Sequence, residues 1–146
     1  MKINFTKKQY RQLLDLVYLG EWTANSSKVH GERNEEYDEI FQYVCSFSKS
    51  FGCEDLIEFD QSFGEYFPTK EYEESMHSYI EENDNEVFWN QISLRLAKRD
   101  IQKIGKKYRS KEEYLRHLFQ LEEEYEIEFE KHGIERLVIR EKELES

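Results

Sequence analysis

Glu74-Ser75-Met76-His77 has the Glu-x-x-His spacing by which helical di-iron proteins aim two side chains at one metal from one helix face. That chemistry needs a second copy of the motif and two further glutamates facing the pair. The chain has one copy, and 32 acidic residues among 146 make a chance match easy, so neither a metal nor a cofactor is expected. The other histidines do not gather. His117 and His132 each follow a glutamate four residues back, Glu113 and Glu128, which is the spacing of a surface helical pair. His30, in Lys28-Val29-His30-Gly31, reads as a loop residue. Cys45 falls on an apolar helical face and reads as a small buried hydrophobe. Cys53 stands beside Glu54 and Asp55, where a thiolate is disfavoured. Two lone cysteines make no zinc motif, and there is neither a glycine-rich phosphate loop nor a G-x-S-x-G elbow. No catalytic residue is assigned.

The polar residues that need an explanation lie in FWNQISLRLAKRD, residues 88–100. Advanced by about 100° per residue, this segment spreads its apolar side chains over most of the circumference. Arg99 then falls between Phe88 and Ile92, and Asp100 between Trp89 and Ile104. Both are expected to be at least partly buried and therefore partnered, since stripping the partner from a buried charge costs about 3–5 kcal/mol. Adjacent helical residues diverge, so separate partners are expected. The apolar stripe of the first helix takes in Glu21 and Asn25 if that helix continues past Gly20, and Glu122 lies near the edge of the last helix's stripe. The expectation is a buried polar cluster of Glu21, Asn25, Arg99 and Asp100, with Arg95 and Glu122 nearby. It would act either as an ion-pair network that fixes helix pairing or as a polar pocket for a ligand or acid–base chemistry.

Two surface features add to this. The aromatic residues Trp22, Tyr66, Phe67 and Tyr72 form a candidate partner-binding patch, because aromatics dominate interface hot spots; the alternative is that they close the core. The basic run Lys98, Arg99, Lys103, Lys106, Lys107, Arg109 and Lys111 breaks an acidic background and reads as a solvated helix end, with an anion site as the sharper alternative.

Five helices are expected to position these residues. The first runs from about Lys7 to Ser26 behind a Thr6/Gln9 capping box. The second runs from about Glu35 to Phe51, with Asn34 as cap and Gly52 as stop. Residues 53–68 form an apolar connector that packs across the helices, with a short strand conceivable at Leu56–Phe59 but without an obvious partner. The third helix runs from about Lys70 to Glu82. The fourth, about 85–104, is the central buried helix around which the others pack. The fifth opens at Ser110 with Glu113 and closes at Gly133. YEIEFE, residues 125–130, alternates like a strand, but the caps on both sides favour helix. The fold expected is all-α: one domain over residues 1–146, with a tail that frays from about residue 140.

Composition supports this. Aromatic residues make up 15% of the chain, enough for a core, while one proline and six glycines favour helices. A net charge of −11 disfavours direct binding of nucleic acid or anionic lipid and suits basic partners. The N-terminal stretch, with Asp15 inside its only apolar run, is neither a signal peptide nor a membrane span, and the compartment expected is a reducing cytoplasm. The segments LVYLGEW, YFPTKEYEE and FWNQISLRLAKRD, within about residues 10–105, resemble a family of small, acidic, helical bacterial proteins without an assigned activity. The resemblance implies an all-helical domain and a bacterial or phage source, and it carries over no site residue.

The function expected is a non-enzymatic, cytoplasmic protein-interaction or regulatory module whose partner is another protein. One alternative is a nucleic-acid mimic that inhibits a DNA-binding protein through carboxylates of the last helix. The other is a small-ligand binder or enzyme that uses the Glu21/Arg99/Asp100 cluster.

Overall fold

The computed structural model describes residues 2–29 and 31–138. His30 and the tail from about residue 140 lie outside the described residues. The elements in order are α1 (Lys7–Asn25), α2 (Glu35–Cys45), a short 3₁₀ turn (Lys49–Phe51), β1 (Ile57–Asp60), β2 (Glu65–Pro68), α3 (Lys70–Ile104) and α4 (Lys111–His132). The chain is thus mostly helical, but with four α-helices among the described residues and a two-stranded sheet, rather than all-α with five helices.

Each departure has a local cause. The expected third and fourth helices are one 35-residue helix. The junction Glu82-Asn83-Asp84-Asn85 holds weak helix formers but neither Gly nor Pro, and continuing the helix avoids two sets of unsatisfied terminal backbone groups. α2 stops at Cys45 because Ser46 follows, its Oγ donating to the Tyr43 carbonyl at 2.6 Å in the local competition that serines offer a helix. The chain turns on through the 3₁₀ segment to Gly52, which takes the left-handed conformation at φ 63°. The connector folds on itself as an antiparallel hairpin, with Ile57 opposite Pro68 and Asp60 opposite Glu65. Asp60 makes the turn: its Oδ1 accepts from the backbone N–H of Ser62 at 2.7 Å and of Phe63 at 3.3 Å, and Gly64 closes it at φ 71°.

The residues group into two compact units, with the boundary between Glu82 and Asn83 inside α3. The N-terminal unit has the larger core. Tyr10, Leu14 and Tyr18, four residues apart along α1, meet Phe41, Val44 and Cys45 of α2, with Leu56, Ile57, Tyr72 and Met76 completing the cluster. The Thr6/Gln9 capping box is complete, and α1 runs through Gly20 as expected. The Tyr10 ring stacks on Phe51 at 4.2 Å, and its buried hydroxyl donates to the Val44 carbonyl at 2.7 Å.

In the C-terminal unit the latter part of α3 packs antiparallel on α4, joined by residues 105–110. Ala97 and Ile101 pack against Leu118, while Phe88 and Ile104 are about half exposed. The segment 85–104 is therefore not buried all round. Among the described residues of this unit α4 is the one helix that packs on it, and one neighbouring helix buries one stripe, here Ser93, Ala97 and Ile101. Ser110 caps α4 by accepting from the Glu113 N–H, and Glu113 reaches back to the Arg109 N–H at 2.9 Å. Residues 125–130 are helical.

Candidate functional site: an acidic aromatic cleft

In the N-terminal unit, α1, α2, β2 and the first turn of α3 surround a cleft of about 430 Å³. Two amide side chains hold its walls by the same device. Asn25, 2% exposed at the end of α1, accepts from the Asn34 N–H at 2.7 Å and donates through Nδ2 to the Asn34 carbonyl at 3.3 Å. Its Nδ2 also donates to Glu21 Oε1 at 2.8 Å. Asn34 stands at the N-cap of α2 but makes no side-chain cap bond, so Asn25 ties the end of α1 to the start of α2. Gln42, on α2, accepts from the Tyr66 N–H at 2.8 Å and donates to the Tyr66 carbonyl at 2.9 Å. Tyr66 is the β2 residue opposite Phe59, and its polar backbone groups face away from β1. Gln42 thus stands where a third strand would be and satisfies the sheet edge.

The polar cluster expected from the sequence divides into two sets, each completed within its own unit. Glu21 and Asn25 are paired as expected, but the cation on Glu21 is Arg33, at 2.8 Å, and not Arg99. Arg33 lies in the loop before α2, where no helical periodicity marks it. In the C-terminal unit, Arg99 Nε donates to Asp100 Oδ1 at 2.8 Å, and the Tyr125 hydroxyl bonds both Arg99 and Asp100. The expectation of separate partners fails, because Tyr125 from α4 draws the two neighbouring side chains together. Their burial is also less than expected: the Arg99 side chain is 49% exposed and that of Asp100 26%. The Arg99 guanidinium, with help from the Tyr125 hydroxyl, holds the Asp100 carboxyl below the usual carboxylate range. Arg95 is exposed and Glu122 half-buried, and neither forms an ion pair among the described residues.

Of the expected aromatic patch, Trp22, Tyr66 and Phe67 line the cleft. Tyr72 is a core residue, 4% exposed, because its ring packs edge-on to Tyr18 while its hydroxyl donates to Asp15 at 2.9 Å. Burial, reinforced by the Asp15 charge, pushes its ionisation upward. The His77 ring packs edge-to-face with Trp22, ring centroids 4.8 Å apart. His117 pairs not with Glu113 but with the Tyr108 hydroxyl, at 2.7 Å. Glu113 is taken by Lys106, which leaves the basic run part of a solvated helix junction. Among the described residues, no group of three or more His, Cys, Asp or Glu side chains converges as a metal site.

The cleft's electrostatics were not legible in the sequence. Glu21, Asp38, Glu65 and Glu73 line it against one cation, Arg33, a formal charge of −3. Only Glu21 among the four has an ion-pair partner among the described residues. Tyr18 reports the combined environment: burial, then the charges of Glu73 and Glu21, push its hydroxyl up to about 12. Aromatic rings beside unneutralised carboxylates suit a cation with an apolar stem, which can stack or snorkel along the rings and pair at its tip.

Among the described residues, no helix is long and apolar enough to cross a membrane. Compared with family models, with curated proteins and with solved structures, the chain matches none.

Proposed function

We propose that the protein is an interaction module that binds a basic segment of a partner protein in the cleft of its N-terminal unit. The observation that carries this reading is the lining itself. Trp22, Tyr66 and Phe67 stand beside Asp38, Glu65 and Glu73, carboxylates with no cation of their own among the described residues. Arg and Lys side chains match that combination of ring faces and negative charge. The overall charge of −11 would steer such a partner in.

Less supports the other readings. The carboxylates of α4 from Glu112 to Glu130 turn right round the helix instead of forming a phosphate-like stripe, and Glu113 and Glu128 are already paired with Lys106 and Arg136. The Arg99/Asp100 pair is satisfied by Tyr125, with no acid or base left unpartnered.

A labelled hexapeptide of alternating Arg and Ala, titrated at low and moderate salt, tests the proposal. Wild type should bind it, and Asp38→Asn with Glu73→Gln should weaken binding about tenfold, as loss of two charge-assisted contacts would. Trp22→Ala should weaken it further. Equal binding by wild type and variants would mean that the peptide responds to net charge alone, and the cleft would not be the site.

A further inference from the structure

The C-terminal unit carries a second cleft, of about 440 Å³, between α3 and α4. Glu86, Asn90 and Ser93 line it from α3, one and two turns apart, and Glu126 and Glu130 from α4. Its wall is aromatic: Trp89 meets Phe129 with ring centroids 5.5 Å apart. None of the three glutamates has an ion-pair partner among the described residues.

Ser93 marks this cleft as more than an acidic surface. It is fully buried, and its Oγ is the one buried side-chain polar atom without a hydrogen-bond partner among the described residues. A serine inside a helix ordinarily donates to the carbonyl one turn back, and this one does not. Buried hydroxyls go unpaired rarely enough that each instance needs a cause. Here Ser93 lines a cleft that offers ammonium hydrogen bonds three carboxylates and the Asn90 amide oxygen as acceptors.

We infer that this cleft binds a small aliphatic amine carrying more than one ammonium group. The carboxylates do not converge as a metal site. Separated carboxylates match ammonium groups separated by methylenes. The Trp89 and Phe129 rings take the methylene chain and add cation–π attraction. Ser93 Oγ and the Asn90 amide oxygen accept the remaining N–H bonds. The site stands apart from the reading proposed for the N-terminal cleft, since none of its residues lines that cleft.

Calorimetric titration of the full chain with spermidine tests the inference, beside magnesium chloride at matched ionic strength and with Ser93→Ala and Glu126→Gln variants. Glu126 is exposed, so its variant should fold. Spermidine should bind at one site, Glu126→Gln should lower affinity about tenfold and Ser93→Ala about fivefold, in keeping with one charge-assisted and one neutral contact. Magnesium should not reproduce the binding heat. Absence of spermidine binding at millimolar concentration would overturn the inference. So would spermidine binding that both variants leave unchanged, or a Ser93→Ala protein that melts higher and binds spermidine as wild type does.

Discussion

Replacing Asn25 with alanine should cost the N-terminal unit more than any other single polar substitution. The side chain is 2% exposed and makes three hydrogen bonds: one accepted from the Asn34 N–H, and two donated, to the Asn34 carbonyl and to Glu21. Each such bond is worth about 1 kcal/mol net. The released groups on Asn34 are exposed and can hydrate, and Glu21 keeps Arg33, so no buried charge is orphaned. The loss should then be about 2–3 kcal/mol, the sum of three ordinary bonds without an added desolvation penalty. For a chain of this length that lowers the melting temperature by roughly 6–12 °C. Thermal unfolding followed by circular dichroism measures it. Asn25→Asp is the discriminating companion. It keeps an acceptor for the Asn34 N–H but sets a second carboxylate against Glu21 Oε1. Repulsion raises the pKa of that pair in the folded state above its unfolded value, so the folded protein binds more protons. The variant's deficit is therefore full at neutral pH and shrinks as pH falls through the raised value. An Asn25→Ala protein melting within about 2 °C of wild type would refute the clamp as a determinant of stability. A pH-independent deficit in Asn25→Asp would refute the pairing with Glu21.

Gln42→Ala should cost about 1–2 kcal/mol and should selectively speed amide exchange at Tyr66, whose N–H then faces water; unchanged exchange at Tyr66 would show that the sheet edge is held by something else. Asp100→Asn should destabilise the protein at neutral pH. Because the folded Asp100 carboxyl is held below its usual range, its contribution is present above the unfolded carboxylate value of about 4 and is lost as pH falls through the lower folded value. The gap between wild type and Asp100→Asn in urea unfolding should therefore close below about pH 4, and a gap that persists at pH 2 would contradict the ion pair. Cys45 is fully buried, and burial pushes its thiol up to about 12. It should resist iodoacetamide at pH 8 until the protein is unfolded, and fast labelling of native Cys45 would show an opening of the core.

Sequence alone determined whatever is written locally. The capping box at Thr6 and Gln9, the Ser110 start and the helicity of residues 125–130 all follow from side chains within one turn of the backbone they satisfy. The same locality found the Glu21–Asn25 contact, four residues apart on one helix face, and put Cys45 in the core. The hairpin is half legible: the sequence offers a short strand at Leu56–Phe59 without an obvious partner, and the turn from Asp60 to Gly64 brings residues 65–68 back as that partner.

Tertiary structure decided which charges meet. Periodicity fixes the face a residue occupies but not what covers that face. Arg99 and Asp100 are therefore expected to be buried among their apolar neighbours, although among the described residues of their unit α4 is the one helix that covers a stripe of α3. It also decided that Tyr72 belongs to the core while Trp22, Tyr66 and Phe67 line a cleft, and that Arg33 and Gln42 complete the walls around them. Gln42 lies 24 residues from the backbone it clamps. Contacts at such separations depend on how whole elements pack, which one chain's local pattern does not encode.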